Sequence, residues 1–293
     1  MSTAPPVLFV QHGWADRAHS LARLADWLAP PETISILPDL GPRALWGPLQ
    51  CLVDHVEEVA GATLAREPTA PLWIVGHSLG GVIWLELLER HPEWWPRVEG
   101  VLLLGVPLGG VARARWLGSL GLTLGRELAA DRRARATRLA AQLPLLLLAG
   151  EQDTVAPPAR VAATSVPLIC VPSTDHRQLR SSWLVALLGR QFFARLAPPP
   201  TPTAAIAERL AALGDPQPCP PRRLSPALLF RDGTTLRFAE QRHGSWVALL
   251  TASGALQWAT RAEGRSAPLR QCIQALRQEH ASAVLWAAPW AER

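Results

Sequence analysis

Leu72-Trp73-Ile74-Val75-Gly76-His77-Ser78-Leu79-Gly80-Gly81-Val82 is the stretch that decides how this chain folds. Its first four residues form a short apolar run of the kind that makes a buried strand, and a helix reads from about Val82 to Leu88 directly after it. Ser78 therefore falls on a sharp strand-to-helix turn, with Gly76 and Gly80 leaving room for the backbone to reverse. Such a turn lifts a serine hydroxyl above the edge of a sheet, and the helix that begins at Leu79 offers free N–H groups to an anion. A glycine-x-serine-x-glycine match taken alone is weak, since at ~7% abundance per residue a chain of this length shows one by chance about one time in ten. Its flanking strand and helix give it weight.

Outward from this turn, similar apolar runs bounded by Gly or Pro occur at residues 7–10, 34–37, 101–104, 145–148 and 168–171. Helical patterns fall between them, at roughly 16–29, 48–66, 79–91, 157–164 and 177–195. Alternation of this kind predicts an α/β fold, a mostly parallel sheet of about six strands with helices on both faces. Residues 107–143 interrupt the regular spacing and read as a helical cap. The domain then spans residues 1–197, and Ala197-Pro198-Pro199-Pro200-Thr201-Pro202 opens a Pro-rich linker over 198–221 that includes a short Ala-rich helix. Residues 222–293 read as a small α+β module with hairpins turning at Asp232-Gly233 and Ser253-Gly254, a helix near 267–280 and a strand at 283–287.

The composition lacks Lys, Asn and Tyr, so all 29 basic residues are Arg, against 24 acids. The high isoelectric point thus reflects missing lysines and tyrosines as well as a modest net charge, and it does not imply nucleic-acid binding. Seven arginines against Glu127 and Asp131 make the 107–143 segment the basic part of its domain. Cys51, Cys170, Cys219 and Cys272 are scattered with no metal-ligand spacing and read as reduced thiols. No apolar run approaches the ~20 residues of a membrane span, and Pro5-Pro6 leads straight into the first strand, so a cytoplasmic location is expected.

With the Ser78 turn, Asp153 in Gly150-Glu151-Gln152-Asp153-Thr154-Val155, His176 after the run at 168–171, and His12-Gly13 after the run at 7–10, the sequence resembles the α/β-hydrolase family, in particular its serine esterase and lipase-like members. The resemblance covers residues 7–195. It implies a triad in which Ser78 is the nucleophile, His176 the general base and Asp153 the acid that orients it. It also implies an oxyanion hole made by the backbone N–H groups of Trp14 and Leu79. Glu151 and Asp175 are rivals of Asp153; its position in Gly-x-x-Asp-x-Val, just beyond the strand, favours Asp153. His77 reads as a packed neighbour of the turn. Gly105-Val106-Pro107-Leu108-Gly109-Gly110 resembles a lipase-type segment except that Val106 stands where a hydroxyl is common.

The resemblance further implies cleavage of a carboxylic ester through an acyl-enzyme, with no metal or organic cofactor. Thioesterase or acyltransferase chemistry on the same triad, and a noncatalytic binding protein of this fold, are the alternatives. A serine nucleophile argues against haloalkane dehalogenase and epoxide hydrolase chemistry, where relatives use Asp. The expected partner is a small ester with an apolar acyl part, met by His12, Gly13 and the cap residues Trp116 and Leu120, although His12 reads first as a brace of the oxyanion loop. An Arg run such as Arg132, Arg133, Arg135 and Arg138 is ordinarily a solvated helix face; here it also raises the expectation of weak contact with anionic head groups or a membrane surface.

Overall fold

The computed structural model describes residues 4–42, 47–111, 123–194, 201–219, 224–241, 244–262 and 266–291. The chain divides into two compact units, one of residues 1–168 and 174–195, the other of 169–173 and 196–293.

The larger sheet has six strands: β1 (Val7–Gln11), β2 (Ile34–Ile36), β3 (Leu72–His77), β4 (Val98–Leu104), β5 (Leu145–Gly150) and β6 (Leu168–Val171). They are ordered β2-β1-β3-β4-β5-β6. The pairings of β1 with β2 and β3, of β3 with β4, and of β4 with β5 are all parallel. β1, β3, β4 and β5 are buried along nearly their whole length, which is why they read as continuous apolar runs. The chain moves from β1 out to β2 and returns to the other side of β1 as β3. Order therefore reverses between β1 and β3, and a crevice opens beyond their C-terminal ends.

Helices α1 (Ala22–Leu28), α2 (Leu49–Arg66) and α3 (Leu79–Arg90) follow β1, β2 and β3. In α2 the buried residues Leu49, Leu52, Val53, Val56, Ala60 and Leu64 trace one apolar stripe. α3 is buried almost all round, and its Trp84 ring lies 5.0 Å from Phe9 of β1. The segment between β4 and β5 contributes α4 (Thr123–Leu128) and α5 (Arg133–Ala140), and α6 (Pro158–Val161) and α7 (Trp183–Phe193) are the remaining helices up to Arg195. The carboxylate of Glu127 on α4 accepts the Leu49 N–H at 2.7 Å, capping the positive end of α2. The helix expected over 16–29 begins instead with a 3₁₀ turn, Ala18–Leu21, and the one expected over 177–195 is broken at Ser181-Ser182 into a 3₁₀ turn, Gln178–Arg180, and α7. Among the described residues no helix is long and apolar enough to cross a membrane.

The second unit contains α8 (Thr203–Ala211), β7 (Ser225–Phe230), β8 (Thr235–Gln241), β9 (Gly244–Leu250), β10 (Leu256–Ala262), α9 (Ala267–Glu279) and β11 (Val284–Ala287). Its sheet has the order β10-β9-β8-β7-β11 and is antiparallel. The two hairpins turn where Gly233 and Gly254 adopt φ of 87° and 84°, the conformation that made them turn signals. The stretch read as a linker is more structured than its composition implied. Ile206 and Leu210 of α8 are fully buried with Leu228, Phe230 and Leu269, and residues 215–217 pair with β10.

A charged cluster joins α2 to α3. His91 faces Glu57 through Nε2 at 2.7 Å and Glu93 through Nδ1 at 2.6 Å, and stacks on Trp94. Only the imidazolium can donate from both nitrogens. Burial disfavours that charge, but the hydrogen bonds to Glu93 and Glu57 outweigh it and raise the pKa above 6.5. The unfolded chain gives up this proton first as pH rises, so the contribution is complete below pH 6.5 and is lost as pH passes through the raised folded value. His91→Gln is expected to lower the melting temperature clearly at pH 6 and much less at pH 9. An equal loss at both pH values in thermal melts would refute this.

Candidate active site

Ser78 joins β3 to α3 with φ 53° and ψ −121°, a conformation that side chains rarely adopt. Its N–H donates to Leu104 O at the end of β4 at 2.9 Å, which pins the turn to the neighbouring strand. The glycines after it are required by close approach. A methyl on Gly80 would lie 2.3 Å from Gln11 O and 2.7 Å from His12 O, because the end of β1 runs directly over the first turn of α3. The same approach brings the next loop against the nucleophile, since a methyl on Gly13 would lie 2.9 Å from Ser78 Cβ. Leu79 is the first residue of α3, so its N–H has no acceptor within the helix.

β5 delivers Asp153. Its carboxylate is buried, and Oδ1 accepts the N–H groups of Val155 and Ala156 at 2.8 and 2.7 Å. That leaves Oδ2 to face His176 Nδ1 at 2.7 Å. The pair meets across 23 residues because Gln152 N–H donates to Thr174 O, drawing the two loops together. Asp175, the rival acid, is exposed; it closes the 3₁₀ turn after it, exchanging 2.8 Å bonds with Gln178 in both directions.

His12 is fully buried and both its nitrogens are committed. Nε2 accepts Leu40 N–H at 3.0 Å, so Nδ1 carries the proton and donates to Gly13 O at 2.9 Å. It therefore braces the loop from behind. Gly13 lies beside Ser78, and the Trp14 side chain is half exposed. Trp116 and Leu120 lie outside the described residues.

His77 has a part that the sequence did not reveal. Its Nε2 donates to the backbone carbonyl of His176 at 2.9 Å, and the two rings lie 4.8 Å apart. The residue before Ser78 thus holds the peptide of His176. The partners are 99 residues apart, so no sequence signal could have paired them. Nδ1 is buried with no hydrogen-bond partner among the described residues. Burial, followed by the neighbouring His176, pushes the pKa from 6.5 down to about 4.

Arg132, Arg133, Arg135 and Arg138 all have partners within the fold. Arg135 pairs with Glu86 and Glu89 of α3, Arg138 with Glu89, and Arg133 binds Asp131 and the carbonyls of Ala159 and Ala162. Arg132 is buried and donates to Ala130 O. Among the described residues this geometry lends no support to a role for the run at anionic head groups.

Residues 3–126, from before β1 into α4, match the family model described as serine aminopeptidase, S33. The match includes His12, Gly13 and Ser78 and ends before Asp153. No curated protein matches the chain. Similar solved structures include haloalkane dehalogenase DbeA from Bradyrhizobium elkani, at 18% identity and TM-score 0.47, covering 67% of this chain and 91% of that one. Another is Est1E from Butyrivibrio proteoclasticus, at 16% and 0.48, covering 66% and 89%. A thermophilic esterase from Thermogutta terrifontis gives 16% and 0.46, covering 66% and 90%. With its parallel six-stranded sheet and serine turn, the chain has the α/β-hydrolase fold, and a hydrolase is the function class supported.

The depressed pKa of His77 carries a consequence for stability. Between pH 6.5 and about 4 the unfolded chain binds a proton at this residue and the folded chain does not. Its contribution is therefore complete above pH 6.5 and is lost as pH falls toward 4. In His77→Gln, which retains a donor for His176 O, the drop in unfolding free energy between pH 7 and pH 4.5 is expected to be smaller than in wild type. Denaturant titrations at the two pH values check this, and an unchanged drop contradicts it.

Proposed function

We propose that this α/β-hydrolase-fold chain is a serine hydrolase that cleaves a carboxylic ester with Ser78, His176 and Asp153. The observation that carries the reading is the buried Asp153 carboxylate, held by two backbone N–H groups and bonded at 2.7 Å to His176, whose peptide is in turn fixed to the residue beside Ser78. Asp153 keeps the imidazole in the tautomer with the proton on Nδ1, which leaves Nε2 free to act as base. His176 takes the Ser78 proton as the oxygen attacks the acyl carbon, and returns it to the leaving alcohol. The Trp14 and Leu79 N–H groups receive the oxyanion. Water then attacks the acyl-enzyme with the same residues, regenerating Ser78.

The half-exposed side chains of Trp14, on the loop after β1, and Val155, two residues after Asp153, favour an ester with an apolar acyl part. The family model's description also makes an amide bond worth testing. We expect hydrolysis of p-nitrophenyl esters, with little turnover of amino-acid p-nitroanilides.

A fluorophosphonate probe is expected to label wild type and not Ser78→Ala, located by peptide mapping. Asp153→Asn should lower kcat by about ten-thousandfold, because it stabilises the wrong tautomer. Absence of Ser78-dependent labelling would sink the catalytic reading in favour of a binding protein that keeps the fold.

A further inference from the structure

We propose that Asp16 and Arg180 form a positioning clamp that ties the oxyanion loop to the loop of the catalytic base, and so fixes the reach between the Trp14 N–H and His176. This rests on the serine-hydrolase reading above and adds two residues to it, neither of which touches substrate.

The oxyanion loop is secured on one side only by the residues already described. His12 holds Gly13 O from behind, but beyond it the chain passes through Trp14 and then Ala15, which sits at φ 54°. Alanine gains nothing from its own side chain in that conformation, so something outside the turn must hold it. Asp16 is the next residue. Its Oδ1 accepts the Arg17 N–H at 2.9 Å, and its Oδ2 pairs with Arg180 Nη1.

Arg180 is well placed to transmit a position. It ends the 3₁₀ turn that starts two residues after His176 and that Asp175 and Gln178 close with their paired bonds. Leu179, just before it, is fully buried and lies against Gly105, where an added methyl would meet Leu179, Asp153 and His176 together. The turn is thus packed onto the acid-base pair, and a force on Arg180 is a force on the base.

The pair spans 164 positions of sequence and is largely shielded, with the two side chains 11% and 26% exposed for Asp16 and Arg180. Burial by itself would raise the Asp16 pKa; the Arg17 N–H and Arg180 more than offset it, so the carboxylate stays below its usual range. Both charges are also felt at His77, the buried residue that holds the His176 carbonyl, which places the pair beside the site rather than out on the surface. An oxyanion donor works only at hydrogen-bond distance from where charge develops, and a misplacement of about 1 Å can cost a hundredfold in rate.

The test uses the full-length protein with p-nitrophenyl butyrate and fluorophosphonate labelling. Asp16→Asn and Arg180→Gln are each expected to lower kcat about ten- to a hundredfold with KM within about twofold. The double variant Asp16→Asn/Arg180→Gln leaves neither charge unpaired; it should melt close to wild type and be no slower than the worse single variant. Arg180→Lys should recover part of the loss. Wild-type kcat in the double variant, strictly additive losses, or a change confined to KM would overturn the clamp. If wild type labels at Ser78 and turns over ester while the variants match it, the clamp alone fails. If wild type shows neither, the serine-hydrolase reading fails and the clamp falls with it.

Discussion

Ser78 is held at a positive φ, which for a residue with a side chain costs on the order of 1–3 kcal/mol and persists only where the surroundings over-determine it. The surroundings here do so from several directions. The Ser78 N–H is fixed to β4, its carbonyl receives the Gly81 and Val82 N–H groups, and β1 presses onto Gly80 closely enough to exclude any side chain. The central position of β1, β3 and β4 in the sheet and the nearly complete burial of α3 follow from the same requirement. Strain at Ser78 is sustained by the buried centre of the sheet.

Around this turn the polar groups of Asp153, His12 and His77 reach across to neighbouring loops, while Gln11 Oε1, His77 Nδ1 and Trp84 Nε1 are buried with no hydrogen-bond partner among the described residues. Asp153 satisfies one oxygen with backbone and gives the other to His176, His12 spends both nitrogens on the loop after β1, and His77 secures the His176 peptide. Two of these three histidines are therefore scaffolding. Buried and neutral, they can donate and accept hydrogen bonds without the desolvation cost of a charge, which suits them to sites where a lysine or arginine would be expensive.

The arginine-rich segment illustrates how charge counted along a sequence differs from charge in a fold. Its run of cations looked unmatched because their acids, Glu86 and Glu89, lie on another helix some 50 positions away. Once α5 packs on α3 the charges pair, and they stitch the cap to the nucleophile helix. Pairs of this partial exposure contribute modestly to stability, and their main effect is on register between the two helices.

The strands and the serine turn were legible in the sequence, because short apolar runs bounded by Gly or Pro and a glycine-flanked serine are local consequences of backbone sterics and of burial on both sheet faces. The hairpin turns of the second unit were legible for the same reason, as Gly233 and Gly254 adopt the backbone that glycine favours. The helical breaks at Ser181-Ser182 and the packing of Ile206 and Leu210 were not, since they depend on what each helix meets. Nor did the sequence show that Asp153 is buried against His176 while Asp175 is exposed: two carboxylates near one histidine differ in whether the fold buries them and which backbone N–H groups they face. Tertiary structure also decided which groups His12, His77, Asp16 and Arg180 meet. Their partners are 28, 99 and 164 positions away, and it is the closing of the sheet that brings those groups within hydrogen-bond reach.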